Sequence, residues 1–538
     1  MAGRALTTYQ PTKPELAVLI SGIVSMGLEI LAVRIVAPQF GSHIYTVGGI
    51  LTVFLAALSL GYWQGGKRSV TATNREMVWI MLATATYVAV VVYASDLLLT
   101  ATATLAVPPR YASLPAVILL FGPPTYLLGF ISPYAAELSR KERTGEASGH
   151  VYALGTIGSI FGSGATTFVL VPALTISQIG VLFGLTLVGT AVALTLPSLP
   201  RKSTVASMVV VLLLVGAAGG TPIAYDYRGE VVYETQTPYQ QLEVVDDGDV
   251  RTLYLDGARH SAIDLEDPDR HVFTYTEYFH LPMLMADDVD DVDRVLFVGG
   301  GGYTGPQDFA EQYDVTVDVV EIDPEVTGAA ETYFGLDRGD VNVHTGDGRQ
   351  FLQRTDETYD LIVLDAFKKE QVPFHLTTVE FMELLSERLS EDGMVHANVI
   401  SAPSGPAGEF YRAQYKTMAE VFPTVSSYRT SDLNAIQNVQ LVASKDDTRL
   451  TKAELRDRNA ARETGVDLQD PIDNRMAEPD TDDAPVLTDD RGEVDSLLDP
   501  MLGQRYVIEE TDGTETTGEP AAAIGGDRTM RAPIATSR

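Results

Sequence analysis

The sequence predicts two units of different class: a multi-span α-helical membrane domain followed by an α/β domain with a mostly parallel sheet. Two observations carry this. Apolar runs of spanning length fill residues 15–222, which hold few acids. Further on, the apolar stretch Val295–Val298 enters four glycines, Gly299–Gly302, and a helix leads to a second apolar stretch that ends on Glu321. Strand, glycine loop, helix and acid-ended strand make up half of a nucleotide-binding sheet.

Composition narrows the partners. The chain has 538 residues, 72 Asp and Glu against 38 Lys and Arg, and a formal net charge of −34. Nucleic-acid binding needs a basic footprint, and the sequence has none. Only nine of the cations are lysines. Acid-rich, Lys-poor composition resembles the surface of proteins from halophilic archaea, where salt screens self-repulsion. Without cysteine, disulfides, thiolate metal sites and Cys nucleophiles are excluded. The eight histidines form no His-Glu-x-x-His or comparable spacing, so no metal is expected.

Residues 1–14 read as a polar tail. Apolar segments near 16–38, 44–64, 77–99, 114–136, 149–172, 176–198 and 204–222 each approach the roughly 20 residues a bilayer needs, giving about seven helices over 15–222. The fifth is dense in small residues, Gly155, Gly158, Ser159, Gly162, Ser163, Gly164 and Ala165, which suits close helix packing. Gly122-Pro123-Pro124 should kink the fourth. Glu29 and Arg34 lie in the first; Arg34 is expected to reach the nearer interface, and Glu29 to pair with it or another span. The cell membrane is the expected location. Lys67, Arg68, Arg75, Arg140, Lys141, Arg143, Arg201 and Lys202 fall on the side of the N-terminus, which reads as cytoplasmic. Seven spans then place the following domain outside, whereas a site fed by an intracellular metabolite argues for the inside.

From 226 to 285, short alternating strands at Val231–Thr235, Leu242–Val245 and Arg251–Leu255, separated by turn signals, predict a small antiparallel β subdomain. From 286 to 445, strands at Val295–Val298, Val317–Glu321, Val341–His344, Leu361–Leu364 and Met394–Ile400 alternate with helices, which implies a sheet covered on both faces. Residues 446–538 read as an acidic extension: a linker with one short helix over 446–485, and a disordered tail after about 508.

Ligands of an open parallel sheet bind beyond the carboxyl ends of its strands, and the informative residues fall there. Gly299, Gly300 and Gly301 let the backbone approach a ligand. Glu321 can accept from both ribose hydroxyls of a nucleoside. Asp347 and Gly348 follow the third strand, where a carboxylate can take an adenine amino group. Asp365 ends the fourth, beside the reacting atoms. Gly300-x-Gly302-x-x-Gly305 also satisfies the dinucleotide pattern, but no acid–base pair for a nicotinamide accompanies it.

The order of these residues resembles the polyamine aminopropyltransferase (spermidine synthase) family. Tyr239-Gln240-Gln241-Leu242, Leu255-Asp256-Gly257, Thr274-Tyr275-Thr276-Glu277, Val298–Gly302, Val320-Glu321-Ile322-Asp323, Gly346-Asp347-Gly348 and Leu364-Asp365 carry the likeness. The apolar half resembles the multi-span segment fused to such domains in some prokaryotic relatives. The resemblance implies a small β subdomain before a Rossmann-like, class I S-adenosylmethionine-type sheet. It implies transfer of an aminopropyl group from decarboxylated S-adenosylmethionine to an amine, leaving methylthioadenosine, with no permanently bound cofactor. Its partners would be a small-molecule amine, a nucleoside thioether, the lipid bilayer and a second copy in a homodimer. It further implies that Gln240 contacts the thioether side, Glu321 the ribose, Asp347 and Gly348 the adenine, that Pro373 borders the nucleoside pocket, and that Asp365 is the general base.

The departures are on the amine side. Gly302 replaces the Asp of Gly-Gly-Gly-Asp, Lys368 the second acid of Asp-x-x-Asp, and Thr276 the His of Tyr-His-Glu. Lys368 and Lys369 would repel a diamine's distal ammonium if they faced the pocket. The alternatives are an S-adenosylmethionine-dependent methyl or other alkyl transferase, and a non-catalytic membrane protein that senses a nucleoside or polyamine.

Overall fold

The computed structural model describes residues 12–41, 44–105, 107–138, 144–219, 229–369, 371–462, 464–491, 493–511 and 515–518. Arg140, Lys141 and Arg143, the first eleven residues and the tail from 519 lie outside the described residues.

The first unit is a helical bundle: α1 Lys13–Phe40, α2 Ile44–Arg68, α3 Asn74–Ala103, α4 Leu114–Leu128, α5 Ile131–Leu138, α6 Thr144–Ala165, α7 Val171–Ala173, α8 Ile176–Thr195 and α9 Arg201–Gly219. Among the described residues, six helices are long and apolar enough to cross a membrane. The expected seventh span corresponds to α9, which packs on α3 and α8 but is not among those six. Starts are set by local chemistry: Thr73 and Glu76 satisfy each other's backbone N–H groups at α3, as Thr175 and Gln178 do at α8.

The small residues of the fifth segment act as expected. A Cβ on Gly158 would lie 2.2 Å from the Leu19 carbonyl oxygen, and one on Gly162 2.2 Å from that of Ile23, so α1 and α6 touch backbone to backbone. The expected break at Gly122-Pro123-Pro124 is displaced. α4 runs through both prolines and is interrupted at Gly129–Phe130. Pro123 has no N–H for the Leu119 carbonyl, and the Tyr87 hydroxyl donates to it instead at 2.6 Å. The bundle's outer surface is itself apolar, with Leu55, Trp63, Ile160, Phe161, Phe168 and Leu212 exposed.

The second unit opens with an antiparallel sheet of four strands, one more than expected: β1 Glu230–Gln236, β2 Gln241–Asp247, β3 Val250–Leu255 and β4 Ala258–Asp264, paired in that order. A helical turn, Thr274–His280, and α10 Leu281–Met285 lead into the main domain. There β5 Arg294–Val298, α11 Thr304–Gln312, β6 Thr316–Glu321, α12 Pro324–Tyr333, β7 Asn342–Thr345, α13 Gly348–Arg354, β8 Tyr359–Leu364, α14 Val379–Arg388, β9 Leu389–Ser401, α15 Glu409–Ala419, β10 Thr424–Arg429 and β11 Gln437–Ser444 follow. The seven strands run in the order β10-β11-β9-β8-β5-β6-β7, with β10 and β11 antiparallel to neighbours and the rest parallel.

Strand side chains alternate between the two faces. Leu296, Val298, Ile362 and Leu364 join the core under α14 and α15. Val295, Phe297, Leu361 and Val363 join the opposite core with Phe309, Val326 and the β subdomain.

The C-terminal extension differs from expectation. The stretch 446–485 is not a linker, because α16 Lys452–Ala461 and α17 Gln469–Asp473 bury Leu455, Leu468 and Ile472 against Tyr278 and Tyr428. Beyond α18 Val494–Leu498, β12 Tyr506–Glu509 pairs with β13 Glu515–Gly518 at the start of the tail expected to be disordered, the rest of which, from 519, lies outside the described residues.

The α/β unit docks on one end of the bundle. Arg34, near the end of α1, donates to the Pro238 carbonyl, and the turn Pro109–Tyr111 packs on the turn Asp499–Met501. The partner of Arg34 among the described residues is thus the following domain rather than Glu29. Glu29 is half-buried and has no ion-pair partner among the described residues. Lys13 begins α1 at the opposite end and donates to the Leu196 carbonyl.

Candidate active site

The chain leaves β5 toward one side and β8 toward the other, so the crevice lies beyond the carboxyl ends of these two adjacent strands. Val298 pairs with Leu364 at the last register position. The next residues therefore face each other: the Asp365 N–H donates to Val298 O at 2.9 Å, and a Cβ on Gly299 would come within 2.4 Å of Asp365 O. Gly299 (φ 99°) and Gly301 (φ 52°) occupy the left-handed region that glycine adopts without steric cost. Tyr303, also left-handed, ends the loop and starts α11.

Glu321 is buried at the end of β6. One carboxylate oxygen accepts from the Gly300 N–H at 2.8 Å and the other from the Asp323 N–H at 2.9 Å. Burial raises its pKa, and these backbone hydrogen bonds oppose the rise. Each oxygen keeps a lone pair for a ligand hydroxyl. Asp323 caps α12 and accepts from Thr237 Oγ1 at 2.6 Å and Gln240 Nε2 at 3.3 Å. Gln240, expected on the thioether side, is thus turned to Asp323 and ties the β subdomain to the glycine-loop strands.

Asp347 caps α13 through the Gln350 N–H (2.9 Å) and holds His375 Nε2 at 2.8 Å with its other oxygen. Gly348 begins that helix where a Cβ would lie 2.5 Å from Val298 Cγ1. Pro373 starts the turn Phe374–Leu376, which brings His375 to Asp347.

Asp365 is a further perturbed acid of the crevice. Burial pushes its pKa up to about 6, against a hydrogen bond from Asn398 Nδ2 at 2.7 Å that favours the ionised form. Asn398 is fixed in turn by Asn438 and Gln440, each donating to its carbonyl at 2.8 Å, and the Tyr506 hydroxyl donates to Asn438 at 2.7 Å. These supporting residues sit on β9, β11 and β12. The sequence reading missed Asn438, Gln440 and Tyr506 because β11 and β12 were not recognised as strands.

The amine-side departures have visible consequences. The Gly302 N–H donates to Ser261 Oγ at 2.9 Å, and a Cβ here would lie 2.8 Å from Ser261 Cβ. Lys368 is paired with Asp256 at 3.0 Å, and Lys369 reaches away to the Gln504 carbonyl at 2.6 Å. Thr276 holds His271 Nδ1 at 2.8 Å.

Residues 272–431 match the spermine/spermidine synthase domain. A polyamine aminopropyltransferase of Vibrio vulnificus (strain CMCP6) is 34% identical over 183 residues, 32% of this chain and 60% of that protein. A probable polyamine aminopropyl transferase of Bifidobacterium longum (strain NCC 2705) is 27% identical over 290 residues, 50% of this chain and 61% of that protein. The chain therefore spans about three-fifths of the length of these two relatives. The crystal structure of a probable spermidine synthase from Corynebacterium glutamicum ATCC 13032 aligns over 44% of this chain and 88% of its own, at 21% identity and a TM-score of 0.39. Residues 272–431 are thus the part of the chain that is similar to the spermine/spermidine synthase domain.

Proposed function

We propose that the protein is a membrane-bound aminopropyltransferase that moves an aminopropyl group from decarboxylated S-adenosylmethionine to an amine other than a simple diamine. One observation carries the reading: Asp365 and the Gly299–Gly302 loop with Glu321 meet at the ends of adjacent strands. The Glu321 lone pairs would hold the ribose, and Asp347 and Gly348 would border the adenine. An amine is protonated near neutral pH. The Asp365 carboxylate attracts that cation and accepts its proton, and its raised pKa makes it a better base than an ordinary carboxylate. The freed nitrogen then bonds to the aminopropyl carbon as the carbon–sulfur bond breaks, and the sulfonium leaves as a neutral thioether. The protein's main task is alignment of the three atoms.

The acceptor inference rests on three positions. Position 302 has no space for a side chain, Lys368 places a cation beside Asp256, and Thr276 is engaged with His271. A polyamine's anchoring acids are thereby missing. The apolar outer surface of the bundle supports membrane insertion, and the contact of Arg34 with Pro238, next to Tyr239 and Gln240, favours an acceptor presented near the lipid surface.

The test is a donor and acceptor screen on the detergent-solubilised full chain in high salt, with products identified by mass. Methyl transfer from S-adenosylmethionine without aminopropyl transfer would replace this reading with that of a methyltransferase. Calorimetric titration with methylthioadenosine addresses the donor site separately: absent binding, or binding unchanged in Glu321→Ala, overturns the nucleoside assignment.

A second reading is favoured by the charge distribution. Lys67, Arg68, Arg201 and Lys202 lie at the end of the bundle remote from the α/β unit, so the positive-inside rule would place that unit outside the cell. A nucleoside- or polyamine-binding sensor facing outward fits that orientation better than an enzyme using an intracellular donor. Methylthioadenosine binding without turnover of any donor would select it.

A further inference from the structure

His271, His280 and Asp308 converge from three segments onto one point below the glycine loop. The nearest ligand atoms of the three lie within 4.8 Å of one another. His280 Nε2 is 2.8 Å from Asp308 Oδ2, and His271 Nε2 is 3.7 Å from Asp308 Oδ1. Donor atoms around a tetrahedral zinc ion are about 3.3 Å apart, given zinc–ligand bonds near 2.0–2.1 Å.

The outer hydrogen bonds fix which nitrogen carries each proton. Thr276 Oγ1 donates to the Phe273 carbonyl at 2.8 Å. Its oxygen must therefore accept from His271 Nδ1–H, 2.8 Å away. The Tyr313 hydroxyl donates to the Thr464 carbonyl at 3.1 Å, so it accepts from His280 Nδ1–H at 2.7 Å. Both neutral rings then aim an Nε2 lone pair at a carboxylate. Three acceptors facing one another with no donor between them call for a cation. A single proton on His280 would satisfy only one contact, and His271 Nε2 would remain buried without a hydrogen-bond partner, as it is here. Stacking on Phe309 (4.9 Å between centroids) holds the His280 ring in place.

We propose that His271 Nε2, His280 Nε2 and the Asp308 carboxylate bind one divalent transition-metal ion of the zinc type. Two imidazoles and one carboxylate suit zinc and its borderline neighbours, and hydroxyl groups on both second ring nitrogens are the expected outer support. His271 and Asp308 also line a small cleft of about 40 Å³ with Ser261, Thr276 and Thr304, so the fourth ligand position opens toward it. Ser261 is the residue that fills the space at Gly302, and Thr276 is the residue that replaces the family's histidine. Of the positions that depart on the amine side, Thr276 therefore supports a ligand directly, and Ser261, which accepts from the Gly302 N–H, lines the cleft beside it. The proposal runs against the expectation of no metal, which rested on sequence spacing alone.

The experiment uses the detergent-solubilised full chain, stripped with chelator and then given Zn²⁺ or Co²⁺ in high salt with excess Mg²⁺ to suppress diffuse binding to surface acids. One equivalent of zinc per chain is expected, together with Co²⁺ absorption of four- or five-coordinate nitrogen–oxygen type. Asp308→Asn and His271→Gln are each expected to weaken binding at least tenfold, and Thr276→Val, which removes only outer support, by about tenfold. Sub-stoichiometric zinc in the wild type, a six-coordinate Co²⁺ spectrum, or variants that bind like the wild type would overturn the site. If the first two variants fail to fold, the wild-type stoichiometry and spectrum with Thr276→Val decide it.

Discussion

Asn398 donates its side-chain amide to Asp365 at 2.7 Å, across the β8–β9 edge of the crevice. The bond steadies the ionised carboxylate in a site whose burial opposes ionisation. Asp365 is thereby kept at a pKa of about 6, low enough to be a carboxylate at neutral pH and high enough to take a proton.

Activity should therefore fall on the acid side as pH drops through about 6. In Asp365→Asn, turnover should fall by about 10²–10⁴-fold while methylthioadenosine still binds. The variant should also melt at a higher temperature. The sign follows from linkage: the folded-state pKa lies above the ordinary 3.8, so the carboxyl favours the fold when protonated and that contribution is lost as pH rises through about 6. At pH 7.5 the ionised group opposes folding by at most about 3 kcal/mol, less what solvent at its partly exposed edge screens. Unchanged melting in Asp365→Asn would mean that the carboxylate is not desolvated.

Asn398→Leu should move the acid limb of the pH profile upward, because the ionised form loses its donor. It should also destabilise the fold, since the side-chain amides of Asn438 and Gln440 lose a shared buried acceptor, costing about 1–3 kcal/mol each. A pH–rate profile and a denaturant melt separate the two effects. A limb that stays in place would remove Asn398 from the electrostatics of the site.

The contrast between Asp365 and Asn398 also explains what could be read in advance. Asp365 follows a short apolar strand, and Gly299–Gly302 with Glu321 form a local pattern, so each was legible from its neighbours in sequence. Asn438 and Gln440 lie on a strand whose composition, Gln437-Asn438-Val439-Gln440, breaks the apolar run expected of a buried strand. They are tolerable inside only because Asn398 and His396 face them, and that partnership spans some forty residues. The packed helices α16 and α17 were hidden likewise: three apolar residues in an acidic stretch have meaning only once the Tyr278–Tyr428 surface exists.

Restoring the family's acid at the glycine loop should fail. Gly302→Asp would bring a Cβ 2.8 Å from Ser261 Cβ and 3.2 Å from Phe334 Cδ1, and overpacking of this kind costs about 1–3 kcal/mol. Adding Ser261→Gly should recover part of the loss despite removing the hydroxyl that holds the Gly302 N–H. Chemical denaturation of the single and double variants provides the comparison. A fully stable Gly302→Asp would show that the loop can yield, and would reopen diamines as acceptors.

Lys368 should act as the gate on acceptor charge. Its ammonium is 3.0 Å from Asp256. Lys368→Ala frees that carboxylate and removes a like charge from any cationic acceptor. The apparent KM for diamines should fall by about tenfold, equivalent to about 1.4 kcal/mol, with little change in methylthioadenosine affinity. Asp256→Asn should do the reverse, leaving the Lys368 cation uncompensated. Equal acceptor profiles for the wild type and both variants would place the acceptor elsewhere.

The absence of cysteine makes the sidedness of the chain directly measurable. Val70 lies in the turn after α2, at the bundle end remote from the α/β unit, and Asp247 is the exposed last residue of β2. Single substitutions Val70→Cys and Asp247→Cys create the only thiols available to a membrane-impermeant maleimide. Arg34 at Pro238 and Lys13 at Leu196 put the two ends of α1 at opposite ends of the bundle, so the two positions should label from opposite sides of the membrane. The basic cluster around Val70 predicts that this position is protected in intact cells while Asp247 reacts. Labelling of both from one side would mean that α9 does not cross. Protection of Asp247 alone would invert the orientation and bring the candidate active site to the side where an intracellular donor is made, which favours the aminopropyltransferase over the outward-facing sensor.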